Sequence, residues 1–155
     1  MKHKPIAPIF LNACEEKRPQ ARPSANRKVR FDKTSPMKFP VTEEENAKLR
    51  RLFKSFMRND KGVRPASITE LFIMLVRFGL RHPEMLQLAE EYQNTDTKKT
   101  VKPNQLEKRM IEDLAIEWNV SERRALHGII FSVISYLDKG GSLVYEKVQP
   151  FRPNE

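Results

Sequence analysis

Cysteine is almost absent: the 155 residues hold one, Cys14, so neither an intrachain disulfide nor a cysteine-built metal cluster can form. This fits a reducing compartment. Glycine is also scarce, and the five glycines fall at helix ends or turns and form no phosphate-cradling loop. The three histidines, His3, His82 and His127, are far apart, with no carboxylate or cysteine at ligand spacing. Neither a metal, a cofactor nor a catalytic dyad is expected. No uninterrupted apolar run approaches the roughly 18 residues of a membrane span. Pro5, Pro8 and Asn12 break the N-terminal stretch where a signal peptide keeps a continuous apolar centre. These absences predict a cytoplasmic protein that is not an enzyme and works by binding.

Positive charge is abundant. The chain has 29 Lys+Arg against 20 Asp+Glu, a net +9, and the excess is unevenly placed. Residues 1–36 hold nine Lys/Arg and three Asp/Glu, a net +6, which leaves +3 for the other 119 residues. The same stretch has five of the eleven prolines, no glycine and neither helical nor strand periodicity. It cannot bury enough apolar surface to offset the entropy of ordering. Residues 1–36, with Lys33 near their end, read as a flexible basic arm that grips phosphate and releases counterions. A solubilising tail is the plainer alternative.

From Met37 the pattern changes. Met37, Phe39 and Val41 alternate with Lys38 and Pro40, the period of a short strand. Thr42 and Glu45 have the spacing of a capping box, and Leu49, Leu52, Phe53, Phe56 and Met57 then follow at helical spacing up to the breaker Asn59–Gly62. Ser67 and Glu70 repeat the box ahead of Leu71 to Phe78, a helix apolar almost all round that needs burial on most sides; Gly79 is expected to end it. These elements make a first unit over 37–80. Residues 81–96 read as a connector helix (Glu84 to Tyr92) and a polar loop. Residues 97–149 repeat the outline: a short strand at 100–102, Pro103 at the first helical position, and Leu106, Met110, Leu114 and Trp118 on one helix face. An Asn119-Val120 turn follows, then a Ser121-capped helix with Leu126, Ile129, Ile130, Val133, Ile134 and Leu137 as its stripe. Asp138–Gly141 closes that helix and 143–148 form a strand candidate. Residues 150–155 are expected to be a frayed tail.

MKFPVTEEENAKLRRLF, a glycine-containing turn and SITELFIMLVRFGL resemble the ribbon-helix-helix DNA-binding family over about residues 36–80, with a weaker likeness over 97–138. The resemblance implies a mainly α fold in which two strand–helix–helix units pair their strands into an antiparallel ribbon and interlock their helices. The ribbon lies in the major groove of duplex DNA. The second unit comes either from residues 97–138 of the same chain or from a second copy, as a homodimer or higher oligomer. Applied to this sequence, the outward positions of the first strand are Pro36, Lys38 and Pro40, of which only Lys38 can hydrogen-bond a base. Those of the second are Lys98 and Thr100, with Lys102 just beyond and Lys99 turned inward. The family binds phosphate at the start of its second helix. That position is matched by Ser67 with Arg64 and by Ser121 with Arg123 and Arg124. Such proteins act as repressors or as accessory factors on plasmids and other mobile elements, at an operator, a partition site or a conjugative-transfer origin.

Two other readings use the same residues. Asp113 to Ile130 resembles a helix-turn-helix, with Glu122, Arg123, Arg124 and His127 on a recognition helix. A helical protein–protein adaptor with a basic docking arm is the alternative from another class.

Overall fold

The computed structural model describes Arg30, residues 32–58 and residues 63–153. Most of the basic arm and the Asn59–Gly62 breaker lie outside the described residues. The elements are β1 (Met37–Pro40), α1 (Glu43–Arg58), α2 (Ile68–Arg81), β2 (Lys98–Val101), α3 (Gln105–Trp118) and α4 (Glu122–Asp138), with 3-10 turns at Pro83–Met85 and Tyr145–Lys147. The fold is mainly helical with one small antiparallel sheet.

Local chemistry sets the helix starts. The Thr42 hydroxyl accepts from the Glu45 amide at 3.2 Å while the Glu45 carboxylate accepts from the Thr42 amide at 3.0 Å, the reciprocal box expected from the sequence. Ser67 and Ser121 accept from the amides of Glu70 and Arg124, each at 3.2 Å. Pro103 is not the first helical residue of α3: Asn104 caps the helix, its side-chain oxygen accepting from the Glu107 amide at 2.8 Å, and Pro103 stands one residue before the cap. At the other end of α3, Asn119 turns into the left-handed region at φ 55, and the Val120 amide reaches back to the Ala115 carbonyl.

The two strands pair within the one chain. Met37 faces Val101, Lys38 faces Thr100, Phe39 faces Lys99 and Pro40 faces Lys98. Lys38 and Thr100 are 62 positions apart, as are the caps Thr42 and Asn104, so strand register and helix start agree on how the halves correspond. Directly opposed residues share a face of the sheet. Met37, Phe39 and Val101 therefore point inward, with Lys99 beside them as expected, and Lys38, Thr100 and Lys98 point outward.

Packing is crossed. Helix α2 lies against β2 and α4, while α4 lies against β1, α2 and α3. Leu71, Phe72, Leu75, Val76, Ile129, Ile130 and Val133 are buried there, and Phe39 meets Phe72 edge-on at 5.5 Å. Each such side chain contributes about 1.5–3 kcal/mol, so this packing outweighs any single cap. The all-round apolar run of α2 is thus covered by the second half of the same chain.

Several expectations need correction. Helix α2 does not end at Gly79 but continues to Arg81; a Cβ on Gly79 would come within 2.8 Å of Ile129, so this glycine serves a close helix approach. No connector helix forms over 84–92. After the Pro83–Met85 turn the chain runs along α4, where the Ser132 hydroxyl bonds both the amide and the carbonyl of Gln87 at 3.0 Å and draws them away from helical partners. On α3, Met110, Leu114 and Trp118 of the expected apolar face pack half-buried against the core, but the fully buried positions are Glu107, Ile111 and Ala115, one residue round. Residues 143–148 are not a strand: among the described residues the sheet has two strands only, and Leu143 and Val148 are buried five positions apart around a 3-10 turn. Nor does the end fray through Phe151. Arg81 Nη1 donates to the carbonyls of Lys147 and Gln149 at 3.0 and 2.6 Å, its guanidinium sits 4.0 Å over the Phe151 ring, and Asn104 Nδ2 donates to the Phe151 carbonyl. The body also begins earlier than Met37. The Ser35 amide donates to the Pro103 carbonyl at 3.0 Å, and Gln105 Nε2 donates to the Lys33 carbonyl and the Ser35 hydroxyl.

Candidate nucleic-acid interface

The outward face of the ribbon carries Lys38 and Lys98, both exposed, and the half-buried Thr100 between them. Antiparallel pairing puts Lys38 directly across from Thr100, so an amine and a hydroxyl project side by side; Lys98 projects across from Pro40. Pro40 is itself buried and adds no polar group. Lys102, exposed, continues the cationic row past the end of β2. Lys33 is brought to the same end, because residues 33–35 are held by Pro103 and Gln105. Five of the residues singled out in the sequence thus cluster on one ribbon and its exit.

The two helix starts differ from one another. At α2, Ser67 and Arg64 are exposed, but the Glu70 carboxylate already accepts from the Ala66 amide at 2.7 Å, which spends a donor that a phosphate would use. At α4, Ser121, Glu122 and Arg123 are exposed while Arg124 is not free: its guanidinium lies 5.5 Å over the Tyr92 ring. Tyr92 in turn meets His127 edge-on at 5.1 Å. Burial pushes the Tyr92 hydroxyl pKa above its ordinary value, and the charges of Arg123 and Arg124 partly offset this. Of the two arginines, Arg123 is the one that projects.

Of the recognition-helix residues in the helix-turn-helix reading, Glu122 and Arg123 are exposed, Arg124 is half-buried and His127 is buried. Ala125 to Ile130 are buried, and His127 is enclosed with its Nε2 2.6 Å from Glu45 Oε2. Packing against α2, α3 and β1 leaves Ser121, Glu122 and Arg123 at the start of α4 exposed.

A further set of cations lies on α1. Lys48, Arg50, Arg51, Lys54 and Arg58 are exposed along its outer side. They occupy the positions opposite the Leu49, Leu52, Phe53 and Phe56 stripe, a signal the sequence carries at helical spacing. Among the described residues no group of three or more His, Cys, Asp or Glu side chains is placed to hold a metal ion. Among the described residues, too, no helix is long and apolar enough to cross a membrane. Comparison with protein-family models, with curated proteins and with solved structures gives no match.

Proposed function

We propose that this chain binds duplex DNA in the ribbon-helix-helix manner, with both strand–helix–helix units supplied by one chain, and that it acts as a repressor or as an accessory factor at a plasmid partition site or transfer origin. The observation that supports this reading best is the two-stranded ribbon. Its inner face is closed by the crossed helices, and its outer face presents Lys38, Thr100 and Lys98. A two-stranded ribbon of this width fits the major groove, where an ammonium can donate to guanine O6 and N7 and a hydroxyl can serve either base edge. Lys33, Lys102 and Arg123 take phosphate in this scheme, and Ser67 and Ser121 set the helix starts that flank it. The chain acts by occupancy.

The test is a binding titration on duplex fragments, including the DNA flanking the chain's own gene, followed by a footprint. The expected result is a retarded complex whose affinity falls steeply with salt and a protected site covering one major-groove face. Absence of any complex with duplex DNA in low salt would overturn the proposal and leave the adaptor reading in its place.

A further inference from the structure

Helices α1 and α3 correspond through the 62-position spacing, yet beyond their N-terminal ends, which carry Glu43, Glu44 and Glu45 in α1 and Lys108 and Arg109 in α3, their outer faces carry opposite charge. From Ala47 to Arg58, α1 bears Lys48, Arg50, Arg51, Lys54 and Arg58 and no acid; from Met110 to Trp118, α3 bears Glu112, Asp113 and Glu117 and no base. At matching positions, Arg50 and Arg51 stand where α3 has Glu112 and Asp113. Lys48 is paired with Asp138 at 2.6 Å. Among the described residues neither the other four cations nor the three acids have an ion-pair partner. Each face is also shaped. Arg51, Lys54, Ser55 and Arg58 line one shallow pocket on α1, and a groove of about 780 Å3 between α3 and the start of α4 is lined by Ala115, Ile116 and Val120 together with Glu112, Glu122 and Arg123. Ile116 is 78% exposed, the most exposed large apolar side chain described.

We propose that the α1 face of one copy docks on the α3 groove of a second copy of this chain, with Arg50, Arg51 and Lys54 meeting Glu112, Asp113 and Glu117 around Ile116. Charge selects this occupant. A face repels its own kind, so α1 against α1 and α3 against α3 are disfavoured, and each face finds its complement only on the other. Such an interface is heterologous. It leaves one face free at each end and adds copies in a row. Its charges lie at the rim, so association is weak and screened by salt, with Ile116 as the desolvated centre. The inference does not rest on DNA binding, and its test contains no nucleic acid.

Sedimentation of the full chain is expected to show a mass that rises with protein concentration in low salt and returns to one chain near about 1 M salt, where the Debye length is about 3 Å. The variants Arg50→Glu/Arg51→Glu and Glu112→Arg/Asp113→Arg should each weaken association at least about tenfold, the shift two repelling rim pairs produce. A mixture of the two should associate again, as should the chain carrying all four changes, whose net charge equals that of the starting protein. A single-chain mass at every concentration in low salt overturns the proposal. So does unaltered association of either paired variant, or a folded four-change chain that stays single.

Discussion

Arg77 Nε lies 3.1 Å from both carboxylate oxygens of Glu107, joining the middle of α2 to the first turn of α3. The Glu107 side chain is fully buried and that of Arg77 is 15% exposed, so this is an interior pair tying one strand–helix–helix half to the other. Burial raises the Glu107 pKa above its ordinary 4.5, and the Arg77 hydrogen bonds and charge pull it back part of the way. The pair's net worth is small, but each partner depends on the other.

Removing one partner should therefore cost far more than removing both. Arg77→Met leaves a carboxylate in the core without its cation and is expected to destabilise the fold by about 3 kcal/mol. Arg77→Met/Glu107→Leu should recover most of that loss. Urea unfolding of the single and double variants checks this through the midpoint at constant slope. Equal losses in both would show that the pair itself holds the halves together.

The same carboxylate gives stability a pH dependence. Its folded pKa is above 4.5, so between 4.5 and that raised value the unfolded chain has released the proton while the folded chain keeps it. The stability owed to Glu107 is full below 4.5 and declines as pH rises through that window. Glu107→Gln removes the titration. The stability difference between the parent chain and this variant is expected to fall with rising pH from 4.5 upward; unfolding free energies measured across the acid range read it directly.

What is legible in the sequence follows from the range of each interaction. The caps at Thr42, Ser67 and Ser121 are local codes, complete within four residues, and all three form. The need of Leu71 to Phe78 for a second cover is readable from composition, but whether that cover comes from the same chain is not, because strand pairing between residues 37–40 and 98–101 leaves no local trace. Nothing in the local sequence marks Glu107 as buried; the distant Arg77 is what lets it sit in the core. His127 reads as a recognition-helix residue until Glu45, 82 positions away, is placed against it. The ribbon residues Lys38, Lys98 and Thr100 are readable because a period of two fixes which way each one faces.

Gly79 reads as punctuation and is instead a packing residue. Replacing it with alanine would gain about 1 kcal/mol of helix propensity in an exposed helix. Here the new methyl meets Ile129 Cγ2 at 2.8 Å and Leu86 and Val133 methyls at 3.1 Å. Gly79→Ala is expected to lower stability by about 1–3 kcal/mol, the usual cost of overpacking. Gly128→Ala, whose nearest neighbours stand at 3.2 and 3.3 Å, should cost less. Thermal melts of the two variants side by side decide it, and a more stable Gly79→Ala would mean that α2 and α4 can move apart at little cost.

The charge distribution separates arm from ribbon in a binding experiment. Twenty-nine residues precede Arg30, and with Lys33 and Ser35 held to the body the arm proper ends near there. If the chain binds DNA as proposed, cutting it before Arg30 should take away cations that neutralise phosphate and leave the ribbon intact. The slope of log affinity against log salt should then flatten by about 0.9 for each phosphate the shortened chain no longer neutralises, with the footprint unchanged. Lys38→Ala and Lys98→Ala should instead cost about 1–3 kcal/mol on the preferred site and little on random duplex, because hydrogen bonds to bases carry the discrimination. Titrations on both duplexes at several salt concentrations distinguish the two effects. If the ribbon variants weaken both duplexes alike and the slope changes with them, Lys38 and Lys98 bind phosphate, and sequence choice lies with the arm or with DNA shape.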